Sequence, residues 1–393
     1  MRVLITSFTY LPNKDGVAEA TRLMAEGLAK LDWEVTVGTT LFGGSTDTGE
    51  VEVCHGVSIH RFDVEKPYPA ESEIARYRDF IRDENFDVIV NHCCEVGPSR
   101  YMADLFPALG VPKVLVSHGF PLHIYVPARG RALGVGKWLR GVRWTILNLV
   151  NVLRRYDAVI FLSEKKGWGR FLDHQVATWI QHPRIEVVPN GTEPGSFSTA
   201  GGGFRERHGI GPGPLVLCVA NYCDRKDQKL ALELFRKADV PGSTLVFIGS
   251  ELNAYAEAAE VLDVKLAAAH PSCNVLFLEK LERSEIFSAF NAMDLFLLAA
   301  KAETQPIVLI EAMAAGKPWI STDTGCVDRM EGGVTCRSNR EIIRALGKLL
   351  RDPEARAALG EKGREAVRKH YRASECVKRY DSIFKSLIAT RVR

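Results

Sequence analysis

The chain has 393 residues, 46% of them hydrophobic and 25% charged, and a formal net charge of +3. These values are typical of a soluble globular protein with two domains, and the near-neutral charge does not favour nucleic-acid binding. The nine cysteines include no C-x-x-C pair, which argues against a disulfide framework or thiolate zinc site and favours a reducing, cytoplasmic compartment. The opening MRVLITSF is too short for a signal peptide, and no apolar run approaches the ~18 residues of a membrane span.

Short apolar runs alternate with helical patterns along the whole chain. Runs that are apolar throughout are typical of parallel strands buried on both faces. In the first half they are RVLITSF, WEVTVGTT, FDVIVNH, KVLVSHG, DAVIFLS and IEVVPN, and in the second half PLVLCVA, STLVFIGS, NVLFLEK, MDLFLLAA and KPWISTD. The pattern predicts two doubly wound α/β domains.

A basic segment at 127–156 contains seven basic residues and no acidic one. Helical spacing relates its apolar residues Trp138, Val142, Ile146, Leu149 and Leu153. The basic residues Arg129, Arg131, Lys137, Arg140 and Arg143 crowd its first part. Two interpretations stay open: a basic amphipathic helix over 129–155 that lies on an anionic membrane surface, or an ordinary helix whose apolar side packs on a sheet.

The segment 191–214 is rich in glycine and proline, including three consecutive glycines at 201–203. This composition argues against any regular element and predicts the domain junction. We therefore expect an N-terminal domain over 1–195 and a second domain over 196–375.

The last third of the chain has the start signals of three helices. Ser338 and Glu341 form a capping box, Asp352 precedes a proline, and Ser374 is a third candidate cap. We expect three successive helices after residue 338.

The stretch ETQPIVLIEAMAAGKP, residues 303–318, follows the predicted strand MDLFLLAA. Glu303 then lies in a strand-to-helix loop and Glu311 lies inside the helix, one turn after Ile307. The first amides of that helix favour a phosphate, and a carboxylate beside them can accept hydrogen bonds from sugar hydroxyls. The alternative is that Glu303 caps the loop and Glu311 pairs with a lysine such as Lys317 on the surface.

Several motifs together resemble one enzyme family. Glu303 and Glu311 with EAMAAGKP behind them resemble the E-x7-E signature of the retaining group 1 glycosyltransferases, the fourth family of sugar-nucleotide transferases. The opening RVLITSFTYLPNKDGVAEATRLMAEGLAKLDWEVTVGTT, SHG at 117–119 and VVPNGTE at 187–193 are similar to further family motifs in the family's order.

The resemblance implies a GT-B fold, in which two Rossmann-like domains face each other across a cleft and the last helix, 376–393, returns to the N-terminal domain. It also implies transfer of a sugar from a UDP- or GDP-sugar, with retention and without a metal or other cofactor. The acceptor would be a hydroxyl of a saccharide, a lipid-linked saccharide or a small molecule. The cysteine usage favours a cytoplasmic location, and a membrane-bound helix over 129–155 would place the protein and a lipid-linked acceptor at the inner membrane face. If 129–155 does not bind a membrane, its arginines could bind an anionic acceptor.

Family roles transfer to individual positions of this sequence. The resemblance implies that Glu311 binds the ribose hydroxyls, that Glu303 binds the transferred sugar and that His118 bonds the same sugar. Lys226 matches the lysine that holds the diphosphate. With Glu303 and His118, it completes the predicted catalytic set.

The sequence departs from the family at the phosphate site. Asn221 replaces the usual arginine after the first strand of the second domain, so Arg225 is the candidate for the second positive charge. Proline at 306 leaves the amides of Ile307 and Val308 as donors at the helix start. Gly16 matches one glycine of the first loop, where a close ligand approach needs no side chain, although a simple turn glycine is the alternative.

Other functions are compatible with the same candidate residues. A nucleotide-sugar epimerase or hydrolase of the related fold would use the same ribose and phosphate contacts, and so would a non-enzymatic sugar-nucleotide sensor. An NAD oxidoreductase fits less well, because the loop after the first strand has no G-x-G-x-x-G. His92 and Glu95, which follow a neighbouring strand, are either acceptor-side residues or ordinary loop residues.

Overall fold

The computed structural model describes residues 1–41, 51–65, 68–83, 85–120, 135–164, 171–198 and 201–391. The chain divides into two compact units. Unit 1 comprises Met1–Asn190 together with Ala373–Arg393, and unit 2 comprises Gly191–Arg372.

Strands and helices alternate along most of the chain. The strands are β1 (Arg2–Ser7), β2 (Glu34–Thr40), β3 (Glu52–Cys54), β4 (Val57–Phe62), β5 (Val88–His92), β6 (Lys113–Ser117), β7 (Ala158–Phe161), β8 (Ile185–Val187), β9 (Leu215–Val219), β10 (Thr244–Gly249), β11 (Asn274–Glu279), β12 (Leu295–Leu298), β13 (Trp319–Thr322) and β14 (Gly333–Cys336). The α-helices are α1 (Gly16–Ala29), α2 (Glu71–Asp83), α3 (Gly97–Met102), α4 (Val135–Leu153), α5 (Asp173–Trp179), α6 (Gly195–Ser198), α7 (Phe204–Arg207), α8 (Gln228–Ala238), α9 (Ala254–Ala269), α10 (Arg283–Ala292), α11 (Ile307–Ala314), α12 (Asn339–Arg351), α13 (Pro353–His370) and α14 (Ala373–Arg391).

Unit 1 is built on an eight-stranded sheet with the order β3-β4-β2-β1-β5-β6-β7-β8. All its pairings are parallel except that of β3 with β4. The central strands are buried on both faces, as their continuous apolar sequences predict. Because the strands are parallel, the residues that end β2, β1, β5 and β6 meet at one edge of the sheet, where α/β proteins bind ligands.

Unit 2 is built on a six-stranded, wholly parallel sheet with the order β11-β10-β9-β12-β13-β14. Apolar clusters cover both of its faces. Both units are therefore doubly wound α/β domains, as the sequence predicts. The loops that follow β9 and β12, two adjacent strands, lie at the same sheet edge.

The last helix belongs to unit 1. Its apolar residues, including Phe384, pack into the same core as α1. The indole of Trp33 donates a hydrogen bond of 2.7 Å to Asp381 of α14. Gly27 on α1 lies so close to Val377 that a Cβ there would collide with the valine side chain. The predicted return of the C-terminal helix to the N-terminal domain is confirmed.

The segment 191–214 differs from its predicted irregular structure. It contains the short helices α6 and α7, which carry the buried side chains Phe197 and Phe204. Both phenylalanines join an apolar cluster of unit 2. The prediction of no regular element was wrong, because two buried phenylalanines anchor turns that the surrounding glycines alone would not favour.

Helix α4 contains most of the basic segment. Its Leu149 and Leu153 are buried in the unit 1 core. Its opposite side exposes Arg143, Trp144 and Leu147, and the two apolar side chains are 54% and 51% exposed. The side chains predicted at 129, 131, 137 and 138 lie outside the described residues. No helix in the described ranges combines the length and apolar character that crossing a bilayer requires.

Candidate active site

The loop between β12 and α11 in unit 2 holds Glu303. The Thr324 hydroxyl accepts a hydrogen bond of 2.9 Å from the Glu303 backbone amide. Gly325, with φ +58°, packs against the same loop, and a Cβ there would collide with the carbonyl oxygens of Glu303 and Thr304. The loop after β13 thus fixes the backbone at Glu303, and only glycine permits this approach.

Lys226 and Glu303 form an ion pair, although 77 residues separate them. Nζ of Lys226 donates to Oε1 of Glu303 at 2.5 Å, and Nη1 of Arg225 lies 3.4 Å from the same oxygen. The Lys226 and Glu303 side chains are largely buried, whereas Arg225 is 57% exposed. Two cations therefore share one carboxylate, so the cluster keeps an excess positive charge that suits an anion.

A neighbouring lysine is already neutralised. Lys301 lies 2.6 Å from the carboxylate of Asp224 and 3.5 Å from that of Asp227. Asn221, at the position of the family's usual arginine, is exposed, and its carbonyl oxygen accepts a hydrogen bond from Gln228. Lys226 and Arg225 are thus the cations beside Glu303.

Helix α11 begins next to this cluster in the sequence. Pro306 is its N-cap rather than its first helical residue, and it supplies no side-chain cap. The amide of Leu309 donates to the Pro306 carbonyl at 3.1 Å, which leaves the amides of Ile307 and Val308 as the donors at this helix end. The positive end of the helix dipole adds to the charge of the two cations.

Glu311 lies inside α11 and is 1% exposed. Its Oε1 forms an ion pair with Nη2 of Arg283, the first residue of α10, whose guanidinium stacks 4.6 Å from the ring centre of Phe287. Glu311 is therefore not a surface residue paired with Lys317, and that alternative was wrong. A buried carboxylate is tolerated here because a cation compensates it.

Unit 1 supplies a second cluster at the ends of β5 and β6. His92 pairs with Val116 in register, so His118, two residues further on, lies diagonally across from His92 on the same face. Nδ1 of His92 and Nε2 of His118 are 2.9 Å apart. Burial lowers the pKa of His118 to about 4, and burial with the neighbouring imidazole lowers the pKa of His92 well below its usual value.

Asp173 supports the loop that carries His118. Its Oδ2 accepts hydrogen bonds from the Ser117 hydroxyl and, at 3.3 Å, from the backbone amide of Phe120. The carboxylate is buried, and desolvation raises its pKa. The residues on both sides of His118 are thus held by one buried acid.

Gly16 is the first residue of α1. The helix is capped by Asp15, whose Oδ1 accepts hydrogen bonds from the amides of Val17 and Ala18 at 2.9 and 3.0 Å. The φ of Gly16 lies outside the left-handed region, and a Cβ there would meet no atom within 4 Å. The described chain itself therefore does not require a glycine at this position.

The structure brings several predicted residues together. In unit 2, Arg225, Lys226 and Glu303 meet near the start of α11, and Glu311 lies one turn into that helix. Sequence reasoning did not find Arg283, Asp173 or Gly325. Nothing in the local sequence of Arg283 or Asp173 signals a partner in another element, whereas the T-G pair at 324–325 is a loop signal that could have been noticed.

The described residues include no candidate metal site. Within the described ranges, no three His, Cys, Asp or Glu side chains are grouped in a way that could hold a metal ion.

Known proteins match both units. A family model of glycosyl transferase 4-like domains matches residues 15–191, and the model of glycosyl transferases group 1 matches residues 204–366. The chain is 28% identical over 248 residues to the GDP-mannose-dependent alpha-(1-6)-phosphatidylinositol monomannoside mannosyltransferase of Mycolicibacterium smegmatis, an alignment that covers 57% of this chain and 62% of that relative.

Solved structures share the fold along almost the whole chain. Sucrose-phosphate synthase from Thermosynechococcus elongatus has a TM-score of 0.78 at 17% identity and covers 99% of both chains. HepE from Anabaena, crystallised with UDP and glucose, has a TM-score of 0.74 at 14% identity and covers 98% of this chain and 100% of its own. The chain thus carries a glycosyl transferase 4-like domain followed by a domain of the glycosyl transferases group 1, on two Rossmann-like units that share the GT-B fold.

Proposed function

We propose that the protein is a retaining, metal-independent glycosyltransferase that moves a sugar from a UDP- or GDP-sugar to a hydroxyl group of an acceptor. The observation that carries this proposal is the cluster of Lys226, Arg225 and Glu303 in unit 2, next to the uncapped start of α11. A nucleotide sugar presents a diphosphate beside sugar hydroxyls. The cations and helix amides of this region can bind the diphosphate, and the carboxylate can accept hydrogen bonds from the sugar hydroxyls.

The diphosphate is the leaving group of this reaction. The bond between the anomeric carbon and the phosphate oxygen breaks, the acceptor oxygen bonds to that carbon, and the acceptor proton passes to the leaving phosphate. Lys226, Arg225 and the amides of Ile307 and Val308 stabilise the negative charge that develops on the diphosphate. With these groups in place, the reaction has a source of charge stabilisation that needs no metal ion.

Glu303 and Lys226 exchange partners in this proposal. Without a ligand they neutralise each other at 2.5 Å. When the donor binds, Lys226 turns to a phosphate oxygen and Glu303 accepts a hydrogen bond from the sugar. The fixed backbone at Glu303 keeps its carboxylate in place during this exchange, because the loop is held by Thr324 and Gly325.

Glu311 binds the ribose in this proposal. The carboxylate is oriented by Arg283, and ribose hydroxyls donate to it. His118 in unit 1 bonds the transferred sugar. The relative named as GDP-mannose-dependent and the structure holding UDP favour a guanine or uracil nucleotide, without choosing between them.

A thermal-shift screen tests donor binding. The purified protein is heated with UDP, GDP, ADP and dTDP and with their common sugar conjugates, first without metal and then with magnesium. We expect one nucleotide family to raise the melting temperature in both conditions, because a ligand of the native state stabilises it by mass action. The Glu311→Gln variant should show a smaller shift at the same ligand concentration, while Lys237→Ala, which changes an exposed residue on α8, should keep the full shift. No shift with any nucleotide would contradict the proposal.

Product analysis then separates transfer from hydrolysis or epimerisation. The donor that binds is incubated with and without candidate acceptors, and the anomeric configuration of the product is read by NMR. Transfer predicts a new glycoside with the donor's configuration only when acceptor is present. Free sugar or an epimerised nucleotide sugar formed at full rate without acceptor would instead support the alternative enzyme, and binding without turnover would support a sensor.

We further propose a lipid-linked acceptor, reached by peripheral contact of α4 with an anionic membrane. The exposed side of α4 combines Arg143 with the apolar side chains of Trp144 and Leu147. Arginine attracts anionic headgroups, and exposed apolar side chains enter the headgroup boundary. The relative from Mycolicibacterium smegmatis, whose name includes a phosphatidylinositol mannoside, is consistent with such an acceptor.

Vesicle sedimentation tests this contact. We expect the protein to bind vesicles of phosphatidylcholine with phosphatidylserine at low salt and to be released at high salt. The double substitution Arg143→Ser and Leu147→Ser should weaken binding, and Trp179→Ala, which removes an exposed tryptophan from α5, should not. Equal binding by all variants would rule out α4 as the contact.

A further inference from the structure

The imidazoles of His92 and His118 share one hydrogen bond. Nδ1 of His92 lies 2.9 Å from Nε2 of His118, the ring centres are 5.1 Å apart and the ring planes differ by 29°. Because both nitrogens belong to imidazoles, one must carry the proton and the other must accept it. The direction of this bond decides which nitrogen of His118 carries its proton.

The other ring nitrogen of His92 settles the direction. His92 is 1% exposed, and among the described residues its Nε2 has no hydrogen-bond partner. If Nε2 carried a proton, it would be an orphaned buried donor. Such N–H groups are rarer in folded proteins than buried acceptors that are left unused. The arrangement with a bare Nε2 is therefore favoured, and the His92 proton then resides on Nδ1.

We propose that His92 is a positioning residue that donates its Nδ1–H to Nε2 of His118 and thereby fixes the His118 tautomer with its proton on Nδ1. In this tautomer His118 is a neutral imidazole whose hydrogen-bond donor is Nδ1. A donor of this kind suits a hydroxyl or ring oxygen of a sugar.

Two further observations support a single shared proton between two fixed imidazoles. Burial lowers the pKa of both imidazoles, so neither carries a second proton at neutral pH. The backbone also holds both residues: Cys93 has φ +65°, and its amide donates to the Val116 carbonyl at 3.2 Å, which ties the residue after His92 to the strand that leads to His118. The register of β5 and β6 thus fixes the backbone positions of both histidines.

The first test reads the tautomer directly and does not depend on the proposed transferase function. The protein is labelled with ¹⁵N-histidine, and long-range ¹H–¹⁵N spectra at neutral pH distinguish protonated from bare ring nitrogens. His118 is assigned by the signals missing from a His118→Gln variant. We expect a protonated Nδ1 and a bare Nε2 in His118. A protonated Nε2 would overturn the proposal.

The second test uses activity and does rest on the proposed function. The His92→Asn variant keeps an amide donor near the position of Nδ1, while His92→Leu is of similar size and has none. We expect His92→Leu to lose about 10-fold to 100-fold in kcat/KM, the size of loss seen for residues that orient metal-bound histidines, and His92→Asn to retain most of it. Equal losses in both variants would overturn the proposal, because packing alone would then explain them. If no transfer is detected in any variant, the proposed function fails while the spectra still decide the tautomer.

Discussion

The candidate clusters of the two units differ in charge. In unit 2, Lys226 with Glu303 and Arg283 with Glu311 are ion pairs, and Arg225 adds a further positive charge. In unit 1, His92 and His118 are both neutral because burial lowers their pKa values. The proposed function uses this difference: it assigns the anionic part of a nucleotide sugar to the charged cluster of unit 2 and a neutral, hydroxyl-rich part to the uncharged pair of unit 1.

The largest expected effect comes from removing the cation next to Glu303. We expect Lys226→Ala to lower kcat by about 10²-fold or more, since it meets charge that appears on the leaving diphosphate. Steady-state kinetics with the donor identified by thermal shift measures this loss. Lys237→Ala is the control, because Lys237 lies exposed on α8 and its ion pair among the described residues is with Glu233, also on α8. An unchanged kcat in Lys226→Ala would contradict the proposal that the cluster in unit 2 binds the diphosphate.

The loop at Glu303 should be sensitive to a single added methyl group. We expect Gly325→Ala to lower the free energy of unfolding by about 1–3 kcal/mol, because alanine is strained at φ +58° and its Cβ would collide with two carbonyl oxygens. Chemical denaturation measures this change. Gly110→Ala, where a Cβ meets no atom within 4 Å, should change stability little. Equal stability of both variants would contradict the close approach.

Glu311 should act on donor binding more than on turnover. We expect Glu311→Gln to raise the donor KM by about 10-fold with a smaller change in kcat, because ribose contacts are made equally in the ground and transition states. The kinetics should be compared with Arg283→Gln, which leaves the carboxylate but removes its partner. A fall in kcat without a rise in KM would move Glu311 from the ribose to the reacting sugar.

The neutral pair in unit 1 predicts a pH effect on stability. The folded pKa of His118, about 4, lies below the ordinary value of 6.5, so the unfolded chain binds more protons between these pH values. Stability is therefore retained above pH 6.5 and lost as the pH falls toward 4, by about 1 kcal/mol at pH 5.5 for this group.

Denaturation at pH 7.5 and pH 5.5 measures this loss, and His118→Gln should show a smaller one. Asp173 has a raised pKa, so its contribution to stability changes with pH in the opposite direction. Because Asp173 is present in both proteins, the difference between wild type and variant reports the contribution of His118. A loss of the same size in both proteins would show that His118 is not held neutral.

Much of the fold could be predicted from the sequence, because its buried parallel strands are continuous apolar runs. Strand β4 was missed because Ser58, His60 and Arg61 interrupt its apolar residues, and these three side chains are only partly buried. The short strands β3 and β14 give too few residues for a pattern. Helices α6 and α7 were missed because glycine and proline around them dominate the local signal.

The candidate site was predicted less completely. Glu303, Glu311 and Lys226 were found because they resemble a family pattern in sequence order. The pairing of Arg283 with Glu311, 28 residues apart, depends on how α10 and α11 pack, and the bond from His92 to His118 depends on the register of β5 and β6. Such contacts belong to the tertiary structure and leave no periodic signal in the chain.

The return of α14 to unit 1 has a consequence for synthesis on the ribosome. Unit 2 is one continuous segment, Gly191–Arg372, and all of it leaves the ribosome before the last helix does. Unit 1 lacks the side chains of α14, Phe384 among them, until residues 373–391 have emerged. Since domains fold as units, unit 2 can complete its core before unit 1 does. In the nascent chain the surface of unit 1 beside Trp33 and α1 stays uncovered until α14 has emerged.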